Sequence, residues 1–176
     1  MKQEIVWGLA VLLAVVAGGI DWKSRRIPNW LTAPGFVAGV AANTFFWGWT
    51  GLKASILGAA LGLLLLLPFV WIRSLGAGDW KLVGALGAVV GPGALLELLV
   101  TTILVAGVMA VILIIWKGRV RQTFRNLRVM LAAMMSLHLP PADVSLDNPQ
   151  ALKVPFGVAV ALAVVLCTAR QAWGAV

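Results

Sequence analysis

The chain has 176 residues, of which 61% are hydrophobic and only 11% charged. Soluble domains carry roughly 25% charged residues, so this balance excludes a soluble domain and points to the bilayer. A net charge of +8 would suit a nucleic-acid binder, but the basic residues fall in short loops between apolar runs, where they set topology and meet anionic headgroups.

About 18 to 20 apolar residues suffice to cross the hydrocarbon core. Six runs qualify as candidates: 5–20, 30–49, 55–72, 80–90, 94–116 and 154–167, the last with a few residues more. The fourth is the shortest and is stopped by Gly91-Pro92-Gly93. The first has the length of a signal peptide. Export and cleavage would leave Lys23, Arg25 and Arg26 outside, against the positive-inside rule, so it is read as a retained helix. With the N-terminus outside, cytoplasmic segments 21–29, 73–81 and 117–153 hold eleven of the 14 basic residues, leaving Lys2, Lys53 and Arg170 on the far side. Both termini are therefore expected outside the cytoplasm.

Small residues recur four apart at Gly35/Gly39, Gly58/Gly62 and Gly87/Gly91, which suits close helix packing in lipid. Trp7, Trp30, Trp47, Trp49, Trp71, Trp80 and Trp116 fall near run ends, as an interfacial aromatic belt does. In segment 117–153, Arg121, Arg125 and Arg128 recur at helical spacing beside Val120, Phe124, Leu127, Leu131 and Met134. That pattern predicts a helix lying in the interface, its arginines toward anionic headgroups, ended by Pro140-Pro141. The expected fold is all-α: a polytopic membrane helix bundle of about six transmembrane helices plus an interfacial amphipathic helix, with residues 1–176 forming one domain.

The acids are Glu4, Asp21, Asp79, Glu97, Asp143 and Asp147. Asp21 ends the first run and Asp79, behind Gly76 and Gly78, precedes the fourth, so the derived topology places both at one membrane surface. A carboxylate at a membrane boundary is costly unless paired, hydrated or used. Two readings stand side by side: ion pairing with Lys81, Arg73 or Arg25, or an aspartic hydrolase. In the second, two carboxyls about 3 Å apart share one proton; one serves as general base for water and the other as acid. Competing chemistries are short of parts. Cys167 has no partner for a disulfide, and His138 is the only histidine, so neither a metal site nor a cofactor is expected. Ser74/Lys81 stays open as a nucleophile pair, and Glu97 falls at the other face.

Three motifs carry a resemblance. Asp21-Trp-Lys-Ser-Arg-Arg-Ile27-Pro28-Asn29 resembles the first aspartate motif of prepilin peptidases. Gly76-Ala77-Gly78-Asp79-Trp80-Lys81 resembles that family's glycine-x-glycine-aspartate motif, and Lys153-Val154-Pro155-Phe156-Gly157 its signature before the last helix. They occur in family order and cover nearly the whole chain.

The resemblance implies an aspartic endopeptidase that removes the basic leader from type IV pilin-like precursors at the cytoplasmic face, with Asp21 and Asp79 as the catalytic pair. On that reading Gly76 and Gly78 admit the extended substrate backbone, while Lys81, Pro28, Asn29, Lys153 and Pro155 shape the site. Ile27-Pro28-Asn29 fixes the turn into the second helix, with Asn29 as its cap. One cysteine and no paired-cysteine insertion resemble the short class of tight-adherence pilus systems, or archaeal preflagellin peptidases, without N-methylation. Two other classes fit the Asp residues: a small proton-coupled transporter, which needs ionisable groups near the midplane, and a non-catalytic scaffold of pilus assembly.

Overall fold

The computed structural model describes residues 1–136 and 154–174. These residues form five α-helices: α1 (Lys2–Ser24), α2 (Asn29–Trp71), α3 (Ala77–Trp116), α4 (Val120–Ser136) and α5 (Phe156–Gly174). The all-helical expectation holds. Three helices, α1 to α3, are long and apolar enough to cross a membrane, and α5 contains the shorter apolar stretch Phe156–Gln171.

At 43 residues, α2 would reach about 65 Å if straight, roughly twice the hydrocarbon core. It is not straight. Gly48 leaves the helical region (φ 59°, ψ −136°), and Gly91 breaks α3 in the same way (φ 79°, ψ 174°). Positive φ is a conformation glycine adopts without steric cost. The contacts show that both helices double back there. Asn43 and Ser55, on opposite sides of Gly48, reach the same Ala88 carbonyl, while Gly62 faces both Val83 and Leu95 across the Gly91 break. The sequence-based gap at 91–93 is therefore narrower than expected, and the one expected at 50–54 falls instead at Gly48, inside the expected run 30–49. Each break is a single glycine, and helix resumes at once, with Pro92 in the first-turn position it tolerates.

Pro92 has no N–H, so Ala88 loses its partner one turn on, and the turn at Gly91 removes the partner of Val89. Asn43 Nδ2 donates to both carbonyls, at 3.0 and 2.8 Å, and Ser55 Oγ donates to Ala88 at 2.7 Å. Side chains thus answer backbone groups that hydrocarbon would leave unpaired.

The first half of α3, residues 77–90, is only about 21 Å long and sits at the centre. Every residue from Leu82 to Val89 is buried. Around it pack α1, α5 and both halves of α2, with Val6, Leu13, Leu86, Leu98, Val160 and Val164 in one continuous core. Gly58 and Gly87 meet backbone to backbone, with no room for a Cβ on either, so these two glycines are bundle construction. Outside, Leu64, Val100, Ile103, Val108, Ile112 and Ile115 are exposed, an apolar surface suited to lipid.

Candidate active site

The antiparallel packing of α1 against α2 and α5 brings four helix ends to one edge of the bundle. Lys2 reaches Phe46 and Leu13 packs on Gly35, so α1 ends where α2 begins. Gly18 packs on Gly157 and Ala161, so α5 also begins there. Trp80 Nε1 donates to Leu63 at 2.7 Å, placing the start of α3 at the same level.

Asp21 lies one turn before the end of α1 and is only 5% exposed. Its Oδ2 accepts the backbone N–H of Gly157 at 2.9 Å, and the N–H of Val158 also points at it. The first turn of α5 has free N–H groups and a positive dipole end, and a carboxylate from another helix answers both. Gly157 makes this possible: a Cβ there would stand 2.8 Å from the Asp21 Cβ. Pro155, just before α5, is buried, and its carbonyl accepts from Val158 and Ala159.

Asp79 is the third residue of α3, where side chains fold back over the helix start. The N–H of Gly76, the N-cap, points at its carboxyl, and a Cβ on Gly76 would come 2.9 Å from Oδ2. Asp79 is half-buried and lies within electrostatic reach of Asp21. Arg25, in a left-handed conformation (φ 53°) that closes α1, also acts on Asp21 through its charge.

The glycines of the second motif differ from expectation in what fills their space. Gly78 faces Ile27: a Cβ would meet the Ile27 carbonyl at 2.8 Å and its N at 3.2 Å. Gly76 faces Asp79. Both close approaches are made within the chain itself. Asn29 also differs. Pro28 is the N-cap of α2 (φ −78°, ψ 150°), and no side chain caps that end. The Asn29 amide turns instead to α3, where its Oδ1 accepts from Lys81 Nζ at 3.0 Å. Lys81 therefore spends its ammonium on Asn29, not on Asp79.

Lys153, His138, Asp143 and Asp147 lie outside the described residues. Among those described, no cluster of three or more metal-ligating side chains occurs. Glu97 pairs with Arg170 at 2.7 Å, on the second half of α3 and the far part of α5. Gly157 was quoted in a motif but not singled out as a site residue. Its signal is a small residue directly after Pro-Phe at a helix start, which reads as helix chemistry until Asp21 is seen beside it.

Fold and site together define an integral membrane helix bundle with two aspartates brought to one edge by different helices. The chain belongs to the Type IV leader peptidase family, whose sequence model matches residues 8–115. It is 37% identical over 120 residues to the prepilin leader peptidase/N-methyltransferase of Burkholderia pseudomallei strain K96243, covering 64% of this chain and 37% of that protein. The protein of the same name from strain 1026b matches equally. A third, from Xanthomonas campestris pv. campestris, is 32% identical over 119 residues, 62% of this chain and 40% of its own length. The chain thus spans well under half the length of these curated relatives. No solved structure matches it.

Proposed function

We propose that this protein is an aspartic endopeptidase that cleaves the basic leader from type IV pilin-like precursors. What supports the reading is that Asp21 on α1 and Asp79 on α3 fall at the same end of the bundle, near enough for the charge of one to act on the other. Oδ2 of Asp21 is held by the Gly157 N–H, and the Asp79 carboxyl by the Gly76 N–H, so backbone donors fix both side chains at the site. The ionised member takes a proton from water as the water attacks the scissile carbonyl, while the protonated member gives its proton to the carbonyl oxygen. As the resulting diol collapses, the first member passes the water's proton to the leaving amine and the second recovers one from the diol hydroxyl.

The setting agrees with such a substrate. In six spans, the halves of α2 and α3 each count as one crossing, and the site edge faces the cytoplasm of the inner membrane with both termini outside. A precursor with a basic leader and an apolar helix then presents its scissile bond at headgroup level. On the same edge, α4 exposes Arg121, Arg125 and Arg128 on one flank and Phe124, Leu127 and Leu131 on another. We assign this helix to the interface, its arginines on anionic headgroups.

The test is incubation of the purified protein with a pilin precursor, read as a mobility shift. Asp21→Asn and Asp79→Asn are each expected to abolish cleavage and to remain folded, since an amide oxygen still accepts from Gly157 or Gly76. Near-normal turnover by either variant refutes the proposal. A second reading rests on the Asp21–Gly157 bond itself, which is also what a purely structural cap would look like. Asp21→Asn separates the two, because it keeps the cap and removes the acid.

A further inference from the structure

The separation of the two aspartates depends on how the end of α1 is held against the start of α3. Between Ser24 and Asn29 lie only residues 25–28, so α1 and α2 are joined by a short strap that begins one turn after Asp21. This strap and the first residue of α2 touch the start of α3 at two points. The Ile27 backbone lies on Gly78, and its side chain is 7% exposed. One residue past the strap, Asn29 Oδ1 accepts from Lys81 Nζ at 3.0 Å.

Asp79 and Lys81 sit two positions apart on one helix, hence on nearly opposite faces. One face carries the carboxyl toward α1 and α5; the other carries the ammonium toward α2. From this geometry, and resting on the peptidase reading above, we infer that Lys81 and Asn29 are positioning residues that act as a clasp, locking the Asp21 strap to the Asp79 turn so that the two carboxyls keep a reactive spacing. Neither touches the reacting atoms. Lys81 serves through its hydrogen bond and not as a counter-ion to the aspartates. Asn29 is available for this because the α2 start leaves its amide unused as a cap. Gly78 supplies the flat contact that holds the strap below the clasp, and the charge-assisted bond fixes its register.

A misplacement of about 1 Å between catalytic groups can cost about a hundredfold in rate. Asn29→Ala and Lys81→Met are therefore expected to lower kcat for precursor cleavage by about ten- to a hundredfold with KM little changed. Both residues are exposed, so membrane abundance and thermal unfolding in detergent should match the parent protein. The double variant should be no worse than the poorer single one, because one bond is lost once. Lys81→Arg, which keeps a charged donor of similar reach, should restore most of kcat. The clasp is overturned if the single variants turn over at the parent rate, if their losses multiply, or if Lys81→Arg fails as badly as Lys81→Met. Asp79→Asn is run beside them. If it is inactive while Asn29→Ala is normal, the clasp alone falls; if it is active, the peptidase reading itself falls.

Discussion

Gly157 stands where any other residue would place a carbon 2.8 Å from the Asp21 Cβ, so one hydrogen atom decides whether α1 and α5 close on each other. Gly157→Ala should push Asp21 off its backbone donor and lower cleavage by about ten- to a hundredfold. Gly19→Ala is the control, because a Cβ there meets nothing within 4 Å and should leave kcat as it was. Equal rates for the two variants would show that the Asp21–Gly157 contact has no bearing on turnover. Asp21 and Asp79 were legible as site candidates because acids are scarce in so apolar a chain. Gly157 was not, since its significance lies in a contact with a residue far away in sequence.

Among the elements, the broken helices α2 and α3 show how a membrane protein turns inside hydrocarbon without leaving backbone groups bare. Asn43→Leu leaves Val89 without a donor while Ala88 keeps Ser55, and an unsatisfied buried group costs about 1–3 kcal/mol. A loss of about 1–3 kcal/mol is expected, measured by reversible unfolding in detergent; Ser55→Ala, which leaves Ala88 its Asn43 donor, should cost about 1 kcal/mol. Gly91 was visible as an interruption in hydropathy, whereas Gly48 lay inside the expected run 30–49. That they are one-residue reversals, and that Asn43 and Ser55 serve one of them, follows from the fold alone. For α4, changing Arg121, Arg125 and Arg128 together to Gln should weaken the preference for anionic over neutral vesicles, read from the burial depth of a spin label at position 124.

At the scale of the whole molecule, doubling back within α2 puts Lys53 near the edge opposite the aspartates. A cysteine replacing Lys53 should be labelled only from outside the cell, and one replacing Lys23 only from the cytoplasm. Labelling of both from one side would contradict the hairpin in α2 as a pair of crossings. The same doubling buries the short first half of α3 between its neighbours. This explains how an apolar run too short to cross alone can be the centre of the structure, with Asp79 at its mouth.

Composition and periodicity by themselves determined that the chain is helical and lies in a membrane, where its apolar runs stop, and which acids fall at run ends. These are local properties: hydropathy, glycine and proline punctuation, and the cost of a charge in hydrocarbon all act along a few turns of chain. The partners of the site residues were decided only by tertiary structure. Gly78 receives Ile27, Asn29 holds Lys81 rather than capping α2, and Asp21 holds the start of α5. Such choices depend on which backbone comes within about 3 Å of which side chain, and that distance is set by helices that are remote in sequence and packed together in space.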